Sequence, residues 1–124
     1  VILDDEQFVL IVDDDPEMVD ILGFFLDKEG ISAIVARNVH EALGVLETTI
    51  PRVILLDLML PGDNGVRLLE HMHDDPAFAE TEVIVISAHP FWKPTAVNIH
   101  PPRRVMRKPI RMAELSTILR RALA

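Results

Sequence analysis

The chain contains no cysteine, which excludes disulfide bridges and thiolate metal sites and is compatible with a reducing cytoplasm. No apolar run approaches the length needed to cross a bilayer, and the amino terminus lacks the basic segment of a secretory signal. A soluble, cytoplasmic protein with no membrane contact is therefore expected. Basic residues are in deficit, with 12 Lys and Arg against 20 Asp and Glu for a formal net charge of -8. That balance disfavours direct nucleic-acid binding, because phosphate backbones attract clustered Lys and Arg. The one dense basic group, Arg103, Arg104, Arg107 and Lys108, reads as a solvated strand edge that includes one functional lysine, or else as a basic docking patch. The 5 histidines are scattered without metal-ligand spacing, and His40, His71 and His73 read as helix-surface residues. Internal repeats and low-complexity segments are also lacking.

With 124 residues the chain can bury a single core and has no room for a second. The expected organisation is a tail over 1–7 and one domain over 8–124, without an output domain. The chain does not open with methionine, as a domain cut from a longer protein would not.

Short β-branched runs alternate with stretches of helical periodicity, the pattern of βαβ units around a parallel sheet. A strand is expected over about 8–13. A helix follows, with Asp15 as its N-cap, Pro16 in its first turn, Val19, Leu22, Phe25 and Leu26 on its apolar face, and Gly30 as its stop. A second strand over about Ser32 to Ala36 leads to a helix capped by Asn38, and a third strand ends in Asp57. The loop Pro61-Gly62-Asp63-Asn64-Gly65 opens a helix that should end near Asp74-Asp75-Pro76. A last helix is expected from about Arg111 to Leu123. The segment Val1-Ile2-Leu3-Asp4-Asp5-Glu6 also looks like a strand feeding an acidic pair, but its following helix would be short and apolar on every side. It reads as a tail or an extra edge strand.

Four apolar runs end in chemistry-bearing residues. Phe8 to Val12 leads into Asp13-Asp14-Asp15, Val53 to Leu56 into Asp57, Val83 to Ile86 into Ser87, and Val105 to Arg107 into Lys108-Pro109. Open α/β sheets bind their ligands at the carboxyl ends of strands, so carboxylates, a hydroxyl and an ammonium are expected on one rim. Read alone, Asp13 and Asp14 could be helix-capping acids, Asp57 a buried acid satisfied by loop amides, and Ser87 a plain strand serine.

An acidic pair after the first strand, Asp after the third, Ser after the fourth and Lys-Pro after the fifth resemble the receiver domain of two-component response regulators along nearly the whole chain. The resemblance implies a flavodoxin-like, doubly wound α/β fold whose five-stranded parallel sheet has the order 2-1-3-4-5. It also implies that Asp57 accepts a phosphoryl group from a sensor histidine kinase or phosphotransfer protein and relays the signal to a partner or an output domain. On this reading the chain is no enzyme, catalysing only its own phosphorylation and dephosphorylation. A homodimer is compatible with it. An anionic nucleophile approaching an anionic phosphoryl group needs positive charge nearby, and Mg2+, a hard cation bound by a few oxygens, meets that need. The resemblance gives Asp14, Asp57 and the backbone carbonyl of Met59 as ligands, with Asp13 acting through water. Without metal, one acid of the cluster should carry a raised pKa. Lys108 would be the counter-ion of the phosphoryl group, ahead of a Lys-Pro bond that is usually cis in the family, and Ser87 would donate its hydroxyl to a phosphoryl oxygen.

Several residues depart from the family pattern. Val105 stands where receivers usually carry the aromatic switch residue, and Pro101-Pro102 replaces a Gly-Ala pair. Pro90, Pro94, Pro101 and Pro102 leave no window for a long helix, so the fourth helix should be short or absent and residues 89–102 the most mobile part of the domain. His89, two residues past Ser87, is either a polar neighbour of the phosphoryl group that tunes its hydrolysis or a solvent-facing loop histidine. Met59, two past Asp57, would shield the group with an apolar thioether. Phe91 and Trp92 read as packing over the gap left by the aromatic, as part of a partner surface, or as plain loop packing. A pseudo-receiver, which keeps the fold and acts as a phosphorylation-independent interaction module, fits Val105 and the proline-rich segment. A haloacid-dehalogenase-type phosphatase also uses Asp and Mg2+, but Met59 occupies its second Asp position.

Overall fold

The computed structural model describes residues 8–60, 62–88 and 98–123. The tail over 1–7, His89, and the segment holding Pro90, Phe91, Trp92 and Pro94 lie outside the described residues, and with them most of the expected short fourth helix. Among the described residues, seven strands and four helices occur in the order β1 (Phe8–Val12), α1 (Pro16–Lys28), β2 (Ser32–Ala36), α2 (Val39–Thr48), β3 (Val53–Leu56), β4 (Met59–Leu60), β5 (Asp63–Asn64), α3 (Val66–Met72), β6 (Glu82–Ser87), β7 (Arg104–Arg107) and α4 (Met112–Leu123). One parallel sheet has the order β2-β1-β3-β6-β7. With the small β4–β5 hairpin set aside, this is the expected 2-1-3-4-5.

The alternation of side chains along each strand divides the core into two layers. Leu10, Val12, Ile54, Leu56, Val83 and Val85 meet α2 and α3 through Ala42, Leu46, Leu68, Leu69 and Met72. Val9, Ile11, Val53, Leu55, Ile84 and Ile86 meet α1 and α4 through Val19, Leu22, Leu26, Leu115, Ile118 and Leu119. Burying each such side chain contributes roughly 1.5–3 kcal/mol before chain entropy is charged. The three central strands are therefore covered on both faces, and only their ends reach solvent.

Local signals set the element ends as expected in most places. Asp15 accepts from the Glu17 amide ahead of Pro16, Asn38 accepts from the Glu41 amide, and Gly30 ends α1 with φ 71°. Helix α3 stops earlier than expected, at Met72. Asp74 then takes φ 57°, and Asp75 caps a separate 3-10 turn over Pro76–Phe78 that buries Phe78. The loop after Asp57 is also more ordered than its turn residues implied, because Met59 and Leu60 pair antiparallel with Asn64 and Asp63.

Residues 98–102, the described end of the segment expected to be most mobile, are tethered. Ile99 is buried, the His100 amide donates to the Leu69 carbonyl at 2.9 Å, and His100 Nε2 lies 2.8 Å from the Thr81 carbonyl. A bond at both backbone and side chain opposes local opening there, which proline counting alone does not register. No helix among the described residues is long and apolar enough to cross a membrane.

Candidate functional site

The site is assembled where β1, β3, β6 and β7 end. Asp13 follows β1, and its amide donates to the Ala36 carbonyl, so the strand pairing itself fixes where the side chain emerges. Its Oδ1 accepts from the Asp15 amide at 2.9 Å, which ties it to the start of α1. Asp14 beside it is exposed. Asp57 follows β3, held by a 2.9 Å bond from its amide to the Val12 carbonyl. The side chains of Asp13 and Asp57 are 4% and 6% exposed, so their carboxylates confront each other with little water to screen them.

Lys108 resolves part of that conflict. The Lys108 amide donates to the Ser87 carbonyl at 3.1 Å, and the following peptide bond to Pro109 is cis. Its ammonium lies 3.0 Å from Asp57 Oδ2 and 3.5 Å from Asp13 Oδ2. The remaining oxygen of Asp57, Oδ1, accepts from the Met59 amide at 2.9 Å. Burial pushes the Asp13 pKa above its usual value, aided by the Asp57 charge and opposed by the Asp15 amide and by Lys108. For Lys108 burial is the largest single influence and works against the ammonium, but its bond to Asp57 and the nearby carboxylate charges outweigh it, so its pKa is raised.

Asp13, Asp14 and Asp57 each offer a carboxylate oxygen within 4.8 Å of the others'. Clustered hard oxygens fit a divalent cation such as Mg2+, which is bound by few protein ligands and keeps several of its waters. Two of these acids are buried and one is exposed, so a cation can enter from solvent. Ser87 closes β6, is 1% exposed, and pairs across to Arg107 in β7. The structure thus brings Asp13, Asp14, Asp57, Ser87 and Lys108 to one rim. The Met59 side chain is 62% exposed beside it.

Val105 lies in β7 opposite Val85 and is 38% exposed, a half-open aliphatic position on an edge strand. In the basic group, Arg103 is paired with Glu82 at 3.0 Å, and Arg104 and Arg107 are exposed along the edge strand. What the residue pattern did not foretell is that Met59 supplies a backbone donor to Asp57. Its only trace in the sequence is the turn glycine at 62, whose φ of 75° lets the chain fold back as a hairpin.

The model of the response regulator receiver domain matches residues 9–120. The chain belongs to that family. This receiver is 35% identical over 80 residues to the transcriptional regulatory protein CpxR of Klebsiella pneumoniae, an overlap covering 64% of the chain and 33% of CpxR. The chain spans less than two thirds of the length of the curated relatives it matches first. Among solved structures, the signal receiver domain of an HD domain-containing protein from Pseudomonas fluorescens Pf-5 superposes with a TM-score of 0.84 at 26% identity, covering 95% of this chain and 94% of that one. The response regulator TrrA of Thermotoga maritima, solved in complex with Mg(2+)-BeF, has a TM-score of 0.80 at 21% identity, covering 94% and 98%, a likeness of fold.

Proposed function

We propose that this receiver accepts a phosphoryl group on Asp57 from a phosphohistidine of a sensor histidine kinase or phosphotransfer protein, with Mg2+ bound at Asp13, Asp14 and Asp57. The observation that carries the reading is the placement of Asp57. It is the buried acid at the end of the central strand, its two oxygens engaged by the Met59 amide and the Lys108 ammonium, inside a cluster of carboxylates. A solely structural acid has no need of two further carboxylates within 4.8 Å, since each adds repulsion.

In the proposed reaction a carboxylate oxygen of Asp57 attacks phosphorus, a P–O bond forms as the P–N bond to the donor imidazole breaks, and the leaving nitrogen takes up a proton. Mg2+ held by these three acids would supply the positive charge that offsets the meeting of two anions. Asp14, the exposed member, would form the open side of the metal site, and the Met59 carbonyl would be a further ligand. Lys108 gives up its contact with the Asp57 carboxylate to follow the charge onto the phosphoryl group. Ser87, at the end of the neighbouring strand, donates its hydroxyl to a phosphoryl oxygen. Dephosphorylation reverses the state by attack of water on phosphorus, releasing inorganic phosphate and regenerating the carboxylate. The exposed Met59 thioether shields one approach to that water, and His89 is a second tuning position. The receiver turns over only its own acyl phosphate, in the cytoplasm where such donors act. It passes the signal to a partner protein or an output domain, not to nucleic acid directly.

Val105 favours a second reading, a pseudo-receiver that binds a partner without phosphorylation, because no aromatic at that position can report on Ser87. One experiment separates the two. Intact mass after incubation with a small phosphodonor and Mg2+ should show one added phosphoryl group in the wild type and none in Asp57→Asn. A wild type that never gains the mass supports the pseudo-receiver. An Asp57→Asn variant that gains it equally removes Asp57 from the role.

A further inference from the structure

Gly65 begins α3 with φ -58° and ψ -20°, a conformation open to any L-residue, so backbone freedom does not explain a glycine there. Space does. A Cβ built on Gly65 falls 2.6 Å from the Asp57 carbonyl oxygen, 2.9 Å from Leu58 Cα and 3.2 Å from Leu56 Cδ1. Two of these are backbone atoms, and the third belongs to a fully buried leucine, so none can swing aside. The Gly65 amide closes the contact with a 2.8 Å bond to the Leu58 carbonyl, the Asn64 side chain accepts from the Val66 amide, and Arg67 pairs with Asp63 at 2.8 Å. The β4–β5 hairpin is therefore clamped between the start of α3 and the backbone of Asp57 and Leu58.

We infer that Gly65 is a positioning residue for the acceptor site. Its missing Cβ sets how closely α3 approaches Asp57, and so fixes the Asp57 carboxylate relative to the Met59 amide and carbonyl. This rests on the proposed phosphoacceptor function. Displacing a backbone carbonyl from 2.6 Å to ordinary contact requires a shift approaching 1 Å, and misplacement on that scale can cost about two orders of magnitude in reactivity.

The test compares Gly65→Ala with Gly44→Ala, which adds a Cβ in open space within α2, and with Leu68→Ala, which destabilises the core from α3 by removing a fully buried side chain. Mg2+ affinity by calorimetry and the rate of phosphoryl uptake by intact mass are read at a temperature where each variant is folded. Gly65→Ala should lose about tenfold or more in both, while the other two stay close to wild type. Equal losses in Leu68→Ala, or wild-type values in Gly65→Ala, overturn the inference and leave the phosphoacceptor reading standing. A wild type that neither binds Mg2+ nor takes a phosphoryl group removes both. If Gly65→Ala does not fold, hydrogen exchange of the wild-type Gly65 amide decides, because a contact that holds the metal site in shape must in turn be held by the metal. Its exchange should slow when Mg2+ is added, and an unchanged rate overturns the inference.

Discussion

Replacing Lys108 with methionine keeps a long unbranched stem and removes only the ammonium, so it isolates one charge. In the metal-free protein the change strips away contacts of 3.0 Å to Asp57 and 3.5 Å to Asp13. Exposed ion pairs contribute about 0–1 kcal/mol, and leaving a fully buried partner uncompensated costs about 3–5 kcal/mol. The carboxylates are 4% and 6% exposed but the lysine is 22% exposed, and Asp57 keeps its Met59 bond, so the expected loss falls between, at about 1–3 kcal/mol. Mg2+ affinity should move the other way, because ammonium and metal compete for the same oxygens. Two unit charges 4 Å apart repel by about 1 kcal/mol in water and about 4 at an intermediate dielectric. A lysine free to swing toward solvent places the gain near 1–2 kcal/mol, about fivefold to thirtyfold tighter binding. Urea denaturation in chelator and in saturating Mg2+, with calorimetric titration of the metal, measures both arms. Saturating metal should shrink the stability gap. Unchanged metal-free stability together with weaker Mg2+ binding would refute the competition between ammonium and metal.

Two further substitutions separate the acids. Asp14→Ala should abolish Mg2+ binding while leaving metal-free stability within about 0.5 kcal/mol, since Asp14 is exposed; unaltered affinity on titration would place the metal elsewhere. Asp13 has a folded pKa above the ordinary 3.8, so its charge opposes folding above that raised value, and the opposition disappears as pH falls toward 3.8. Metal-free Asp13→Asn should accordingly be more stable than wild type at neutral pH, with the gap closing as acid protonates the wild-type residue. Urea denaturation across that pH range checks it, and a gap independent of pH, or of opposite sign, would contradict the burial account.

Much of the fold was legible because its strands carry apolar runs and its helices carry caps: Asp15 with Pro16 and Asn38 each marked a boundary that the structure keeps. The rim residues were legible for a related reason, since a polar residue ending a buried strand has no place to go but the sheet edge. What the pattern could not carry were contacts set by tertiary packing. The pairing of Met59 with Asn64 spans only two-residue strands, too short for any alternation to register. Nothing in the sequence marks His100 as a tether, a role that appears only when the Thr81 carbonyl is placed 2.8 Å from its ring. The early stop of α3 is made at His73, whose ψ of 130° leaves the helix before Asp74 turns left-handed, and the Asp-Asp-Pro sequence permits this without requiring it.

At the opposite edge of the sheet from the acids, Arg52 precedes β3 and directs its Nε to the carbonyl of Ala122, 3.2 Å away near the end of α4. The same residue bridges β1 and β6 through its own amide and carbonyl, to Phe8 and Glu82. Residues 52 to 57 in extended form span about 16 Å at roughly 3.3 Å per residue, so the riveted base of α4 and the acceptor carboxylate stand a full sheet-height apart. On the proposed phosphoacceptor reading, a protein docked on the rim would meet the charge of an acyl phosphate directly, whereas one at the end of α4 would stand beyond a Debye length from it at physiological salt. The Arg52 clamp therefore ties the end of α4 to the bases of β1, β3 and β6 at the edge of the sheet away from the acids.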